Sequence, residues 1–296
     1  MADVLLETDL PHRLHRGKVR DTFDLGDRLL IVATDRVSAF DVVLHGGVPR
    51  KGEMLARLSA WWFERIQEVV PNHFIALITA ENRNLVPFPL DERYFGRSMV
   101  VRKARRLDAE CIVRGYLSGS AWKEYQRSGT VCGERLPEGL RESERLPQAI
   151  FTPSTKADAG HDQNISYDEL IGVIGEDAAN AAKLRSLAIY DYGRIVAEER
   201  GISIADTKVE FGIWNEEVIL IDECMTPDSS RFWPLAGYQA GGPQPSFDKQ
   251  PVRDWVVSSG WKDGDPPPRL PADVAAATTE RYLTAYRMLT GQELPS

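Results

Sequence analysis

The segment Asp206-Thr207-Lys208-Val209-Glu210-Phe211-Gly212-Ile213, followed after a short polar interruption by Val218-Ile219-Leu220-Ile221-Asp222, constrains this chain more than any other feature. Side chains alternate between the two faces of a β-strand. Asp206, Lys208 and Glu210 therefore share one face while Val209, Phe211 and Ile213 share the other, and residues 202–222 read as a β-hairpin with one face on a core. The charged face has two readings. Mixed charges opposite a clean apolar face are what a solvent-facing strand presents. Alternatively, if Asn215-Glu216-Glu217 forms a three-residue loop, Glu210 lies directly opposite Asp222. Cross-strand neighbours stand about 5 Å apart, a separation that a hard cation bridges. A two-residue turn would put the two carboxylates on opposite faces, so the metal reading depends on that loop. Magnesium takes one or two protein carboxylates and completes its shell with nucleotide phosphates and water, which suits such a pair.

Around the hairpin, residues 18–23 and 29–34 read as strands joined by a turn at Leu25-Gly26-Asp27, and residues 99–103 and 109–114 as further strands. Residues 53–70 carry Leu55, Leu58, Trp62, Ile66 and Val69 at helical spacing. A helix is expected over 119–128, a loop over 133–160, and a long helix from a cap at Tyr167 or Asp168 towards Arg200. The stretch 226–271 holds nine prolines among many glycines, which predicts irregular chain with a short helix near 247–258. A closing helix follows over 272–289. Strand runs followed by separate helices make the fold class α+β rather than regularly alternating βα.

Composition narrows the function. The formal net charge is −8, with 36 basic against 44 acidic residues. Such a balance argues against a general affinity for nucleic acid or anionic membranes, while leaving room for a small basic pocket. Cys111, Cys132 and Cys224 are far apart with no CxxC pair, so buried free thiols are expected rather than a disulfide framework or zinc ribbon. Residues 1–10 carry three acidic groups and no apolar core, and residues 29–33 are apolar only over a strand's length. Neither a signal peptide nor a bilayer span is expected, and the cytoplasm is the expected compartment.

Several other segments bear anion-binding chemistry. Arg16-Gly17-Lys18-Val19-Arg20-Asp21 places a glycine and alternating cations before a strand, either as a solvated turn or as a loop over phosphates. It is neither a Walker loop nor a dinucleotide fingerprint, and neither motif occurs elsewhere. Glu110 to Ser120 sets Arg114 at a strand end with serines around a glycine, which reads equally as a capped strand-to-helix turn or as a carboxylate or phosphate site. The run Arg102-Lys103-Ala104-Arg105-Arg106 reads as a strand and its solvated turn. Thr152-Pro153-Ser154-Thr155-Lys156-Ala157-Asp158 and His161-Asp162-Gln163-Asn164 crowd polar groups into a loop; His161 has no second histidine at ligand spacing. Ser230 and Arg231 follow Asp222, and Lys249 and Arg253 sit four apart on the short helix, as surface charge or as ligands of one anion.

Together these segments resemble the phosphoribosylaminoimidazole-succinocarboxamide synthase, or SAICAR synthetase, family. Ile204 to Gly212 is similar to the family's D-x-K-x-E-F-G strand, and Glu110 to Ser120 to its E-C-x-V-R signature with a small-residue turn and Gly-Ser. Thr34-Asp35-Arg36-Val37-Ser38-Ala39-Phe40-Asp41 and Asp222 to Arg231 match in the same order, and the resemblance runs from Gly17 to about Arg253. Proline is usual where Asp108 stands, and threonine or alanine where Ser118 stands, which bears on turn shape rather than on reacting groups. Length, Lys51-Gly52 and the Pro-rich C-terminal part resemble the longer, yeast-like branch and imply a monomer.

The resemblance implies a two-lobed α+β architecture related to protein kinases and ATP-grasp enzymes, with a helical and irregular C-terminal extension. The implied division is a β-rich N-terminal lobe with the phosphate loop (1–112), a central α+β domain for ATP and magnesium (113–231) and a C-terminal segment packing on the body (232–296). It implies ATP-dependent formation of an amide between L-aspartate and the carboxylate of carboxyaminoimidazole ribonucleotide, through an acyl phosphate, in purine synthesis. By position, Gly17, Lys18, Val19, Arg20, Arg102, Ala104 and Glu110 fall to ATP, and Glu210 and Asp222 to Mg2+. Lys156 and Lys208 fall to the reacting groups. Arg114, Ser120, Ser230, Arg231, Lys249 and Arg253 fall to the ribonucleotide, and Asp41, Asp158, His161 and Asp162 to the aspartate subsite. No side-chain nucleophile is required, which agrees with the lack of a nucleophile elbow. Two other functions stand beside this one. A small-molecule kinase on the same scaffold would form a stable phosphorylated product without aspartate, and a nucleotide-sensing module would bind ATP without hydrolysing it.

Overall fold

In the computed structural model, which describes residues 4–156 and 163–295, the alternating segments gather into two antiparallel sheets. The first contains β1 (Arg13–Arg16), β2 (Arg20–Asp24) and β3 (Arg28–Ala33). A small hairpin, β4 (Ser38–Ala39) and β5 (Val42–Val43), and helix α1 (Lys51–Ile66) precede β6 (Phe74–Leu77) and β7 (Ser98–Arg102), and the strand order is β1-β2-β3-β7-β6. Period-2 alternation explains its burial on both faces. Leu30 and Val32 of β3 pack with Phe23, Val100 and Tyr94, whereas Ile31 and Ala33 turn the other way, onto the cluster containing Met54, Leu58 and Trp62 of α1.

Only Lys103 and Ala104 separate this sheet from the second. The chain continues as β8 (Arg105–Tyr116), α2 (Gly119–Ser128), the short ladder β9 (Thr130–Val131) and β10 (Glu134–Arg135), and β11 (Arg145–Thr155). Next come α3 (Tyr167–Ile174), α4 (Glu176–Glu198), β12 (Ile202–Trp214), β13 (Glu217–Ile221), β14 (Ser230–Pro234), α5 (Gln250–Ser258) and α6 (Ala272–Thr290). Strand order is β11-β8-β12-β13, with β14 also on β12. Along one edge of β12, β14 pairs with residues from Ile202 to Thr207 and β13 with residues from Glu210 to Trp214. Between those partners the Lys208 amide donates to the Ser229 carbonyl at 2.8 Å.

Three expectations are corrected. The stretch 133–160 is not all loop, because it contains β11 despite Pro147 and Pro153. That strand lies at the sheet edge, where a missing N–H is tolerated. The long helix is two helices broken at Gly175, and its cap is Ser166, whose capping box with Glu169 satisfies the first-turn amides. The Pro-rich stretch contains β14 as well as the short helix. The two sheets part between Arg102 and Arg105. Cys111, Cys132 and Cys224 are free and buried. No helix among the described residues is long and apolar enough to cross a membrane.

Candidate active site

The β12–β13 hairpin closes through two residues, not three. Asn215 and Glu216 both have left-handed backbones (φ 48° and 65°), the conformation of the two-residue turn whose twist matches paired strands. Trp214 pairs with Glu217, so Glu210 stands opposite Ile221 rather than Asp222. The expected cross-strand opposition is therefore absent. The two carboxylates converge by another route: the strand ends at Ile221, and Asp222 turns the chain with φ 70°. Its carboxylate then reaches the charged face of β12, where it feels the charge of Glu210.

That face is buried rather than solvated; Asp206 and Glu210 are each 5% exposed. Glu110 of β8 lies directly across from Glu210, and Lys208 Nζ bridges them at 2.7 and 3.2 Å. Lys156, just beyond β11, also pairs with Glu210. Arg20 of β2 crosses from the other sheet to bind Asp222 at 2.6 Å and Glu223 at 2.9 Å. Burial opposes ionisation of Glu210, but Lys208 and Lys156 outweigh it and hold the carboxyl below its ordinary range. Asp222 goes the other way: burial, reinforced by Glu210 and Glu223 and only partly opposed by Arg20, raises it. The pair thus offers oxygen donors alone, with one carboxylate crowded towards its neutral form.

Beside this cluster opens a cleft of about 240 Å³, lined by Ile112, Arg114, Ser120, Asp206, Lys208, the 227–231 turn, Asp248 and Arg253. Arg114 lies opposite Asp206 in the β8–β12 register and is fixed on three sides. It donates to Thr152 Oγ1 at 2.9 Å, Asp206 Oδ2 at 3.3 Å and Ser120 Oγ at 3.2 Å. Arg231 of β14 donates to the same Asp206 oxygen, and Ser230 Oγ lies 2.8 Å from Thr207 Oγ1. Arg253 of α5 binds Asp248 at 2.9 Å. Asp228 is held from beneath by Lys51, 2.7 Å away and itself 1% exposed, and by the Tyr282 hydroxyl at 2.6 Å. Burial depresses the Lys51 ammonium, and Asp228 opposes that shift. For Asp228 itself, burial opposes ionisation, yet Lys249 and Lys51 prevail and hold the carboxyl well below its ordinary range.

Residues 13–268 match the SAICAR synthetase family model. The phosphoribosylaminoimidazole-succinocarboxamide synthase of Thermodesulfovibrio yellowstonii is 53% identical over 98% of this chain and 100% of its own length. The enzyme of that name from Desulfosudis oleivorans is 54% identical over 98% and 100%. The chain belongs to the SAICAR synthetase family. The yeast SAICAR synthase, solved in complex with SAICAR, superimposes with a TM-score of 0.88 at 40% identity, covering 98% of this chain and 99% of that one.

In this chain, the residues singled out from sequence distribute unevenly. Arg114, Ser120, Ser230, Arg231 and Arg253 line one cleft together with Lys208, while Lys249 Nζ stands behind it, 3.8 Å from Asp228. Lys156, Lys208, Glu110, Glu210 and Asp222 form the neighbouring ionic cluster. In the Gly17-Lys18 loop, the buried Arg36 guanidinium binds the Gly17 and Lys18 carbonyls and the Asp21 carboxylate, and Thr34 binds the Val19 carbonyl. Lys18 pairs with Asp41 at 2.6 Å on the exposed side. Arg102 spends one nitrogen on the Asn72 and Phe74 carbonyls and lies over the Trp214 ring. Ala104 lies where a Cβ on Gly212 would meet it at 3.0 Å, so this glycine lets β12 approach the crossing between the sheets. Asp158, His161 and Asp162 lie outside the described residues. Sequence reasoning assigned no role to Asp206, Glu223, Asp228, Asp248, Arg36 or Lys51. All of them stood inside segments already noted, but what marks them is burial, which the chain alone does not display.

Proposed function

We propose that this cleft and the carboxylate pair beside it are the active site of an ATP-dependent ligase. The enzyme joins L-aspartate to the carboxylate of carboxyaminoimidazole ribonucleotide, giving SAICAR, ADP and phosphate in de novo purine synthesis. The observation that carries this reading is the convergence of Arg114, Arg231, Arg253 and Lys208 on one cleft flanked by Glu210 and Asp222. Those cations suit a phosphorylated, carboxylated ligand, and planar guanidinium forks suit both of its anionic groups.

A carboxylate is a poor electrophile. Its oxygen attacks the γ-phosphorus of ATP, the bond to the bridging oxygen breaks, and ADP leaves. The aspartate amine then attacks the acyl carbon, the carbon–oxygen bond to phosphate breaks, and the nitrogen gives up a proton as the amide forms. Lys208 and Lys156, both paired with Glu210, supply positive charge beside the reacting groups. Arg114, Ser120, Ser230, Arg231, Lys249 and Arg253 grip the ribonucleotide. Gly17, Lys18, Val19, Arg20, Arg102, Ala104 and Glu110 serve ATP, and Asp41 the aspartate.

The all-oxygen, charge-crowded pair fits Mg2+, and Glu210 and Asp222 would hold it. No group of three or more metal-ligating side chains occurs among the described residues, which suits an ion completed by nucleotide phosphates. When bound, the ion offsets phosphate charge during transfer. The same reading makes the enzyme a cytoplasmic monomer. Incubation with ATP, aspartate and the carboxylated ribonucleotide should release ADP and SAICAR one for one, and only with aspartate present. AMP and pyrophosphate as products would overturn the acyl-phosphate route.

A further inference from the structure

A lysine ammonium with no exposed side-chain surface is an expensive feature, since each buried ion loses several kcal/mol of hydration even after relaxation. Lys51 opens α1, and its compensation is Asp228 Oδ2 at 2.7 Å. The other oxygen of that carboxylate accepts from Tyr282 of α6 at 2.6 Å. Both pins come from behind, from helices that begin about 220 residues apart, and Asp228 itself lines the cleft. The turn it occupies is tight: the Ser229 and Ser230 amides both donate to the Thr226 carbonyl, at 3.0 and 2.8 Å. A carboxylate in a cleft for anions repels the ligand's phosphate, and what it recognises is a donor. A ribonucleotide offers such donors in its hydroxyl and amino groups.

We propose that Lys51 and Tyr282 are positioning residues that fix the Asp228 carboxylate to accept a hydrogen bond from the ribonucleotide, which makes helix α6 a working part of the site. The inference rests on the assignment of this cleft to the ribonucleotide. Tyr282→Phe keeps the buried ring and deletes only the hydroxyl, so it is the informative variant; Lys51→Met is the second.

The test is calorimetric titration of the full chain with SAICAR and, separately, with ADP. Tyr282→Phe should weaken SAICAR binding about five- to tenfold and leave ADP binding unchanged, because the carboxylate loses one of its anchors while its own contact with the ligand remains, so less than the one to two decades of a directly deleted charge-assisted bond is lost. Introduced into an Asp228→Asn background, Tyr282→Phe should add almost nothing, since both act through one carboxylate. A merely structural tyrosine would cost the same in both backgrounds, or weaken SAICAR and ADP alike, and either result overturns the inference. If Asp228→Asn weakens SAICAR binding but Tyr282→Phe does not, the positioning role falls while the cleft assignment stands. If Asp228→Asn itself leaves SAICAR binding intact in a folded protein, the inference falls, while the assignment of the cleft, which rests on Arg114, Arg231 and Arg253, falls only if Arg231→Ala also leaves SAICAR binding intact.

Discussion

Gly119→Ala is the substitution that most directly asks whether Arg231 works in the cleft. Gly119 opens α2 with φ 60°, and a Cβ there would stand 2.5 Å from Arg231 Nη2 and 2.9 Å from Cζ. Ordinary carbon contacts are near 3.5–4.0 Å, so the guanidinium must retreat by about 1 Å. It is the far end of a flexible side chain and can retreat without unfolding anything. What it loses is the charge-assisted bond to Asp206 and its aim into the cleft. A hydrogen bond to a charged group is worth about 1.5–3 kcal/mol, which converts to roughly one to two decades in Kd. The left-handed backbone adds its own cost for alanine, about 1–2 kcal/mol of stability. Gly129, at the other end of α2, separates the two effects: its φ is 68° and a Cβ there meets nothing within 4 Å. Both variants should melt a few degrees lower, by about 2–4 °C per kcal/mol. Calorimetry should then show Gly119→Ala alone losing ribonucleotide affinity. Equal affinity in the two variants, with Gly119→Ala folded, would refute the role given to Arg231.

Three further outcomes are expected. Arg231→Ala should weaken ribonucleotide binding by about one to two decades and leave ATP binding nearly intact, as measured by separate titrations. Glu210→Gln and Asp222→Asn should each remove most magnesium-dependent ATP use, with the double variant little worse than either, because groups acting as a unit are not additive; additive losses with an unchanged magnesium requirement would turn the pair back into a charge stripe. His73, packed edge-on to Phe63, is kept neutral by burial, with its imidazole pushed down to about 3, although a bond to the Asp222 backbone opposes the shift. Below about pH 6.5 the unfolded chain takes up a proton that the folded chain refuses, so this contribution is complete above pH 6.5 and is lost as pH falls towards 3. His73→Phe should flatten the acid side of the ligand-free melting curve over that window, and parallel curves would dismiss the imidazole as the cause.

Local pattern carried most of the fold. The β12–β13 hairpin, α1, α2 and α6 declare themselves through period and caps, and α2 is predicted and found over Gly119–Ser128. What pattern hid was pairing. β11 reads as loop because two prolines interrupt it, and only its place at the edge of the sheet makes them harmless. β14 reads as irregular because its partner, the first half of β12, lies more than twenty residues away. The side chains that line the cleft were legible for the same reason as the helices, since Arg114 with Ser120 and Ser230 with Arg231 are each local groupings. Lys51, Arg36 and Asp228 were not, because an ion pair acquires its meaning from burial, and burial is a property of the assembled sheets. The turn at Asn215-Glu216 shows the limit most plainly. One residue of loop length inverted the expected register, and a left-handed Asp222 restored the proximity that the register had been invoked to explain.

The place of the site follows from how β12 is paired. One edge of that strand is shared between β13 and β14, and the chain must leave the sheet after Ile221 and rejoin it at Ser230 to serve both. That excursion carries Asp222, Glu223 and Asp228; it leaves the sheet opposite Glu210 and returns opposite Thr207, so it brackets Lys208 in the middle of the charged face. Its inner side is anchored on α4: a Cβ on Gly193 would stand 2.1 Å from Met225 Sδ, so the glycine is what lets the excursion lie down on the helix. Meanwhile β8, on the other edge, brings Glu110 and Arg114 level with Glu210 and Asp206. Cations and acids therefore meet where one strand changes partners; sheet geometry sets the spacing of those on β8, β12 and β14, and ion pairs to Arg20 and Lys51 hold Asp222, Glu223 and Asp228 of the excursion against them. Such a frame keeps the charged groups nearly matched and largely desolvated before any ligand arrives. This is the condition under which electrostatic stabilisation of a transferring phosphoryl group costs little reorganisation. It also explains why Asp222 and Asp228, only six residues apart, serve different clusters. The excursion passes from the ATP-facing cations at its start to the ribonucleotide cleft at its end, so that on the proposed reading the phosphoryl donor and its acceptor are brought together by a single turn of chain.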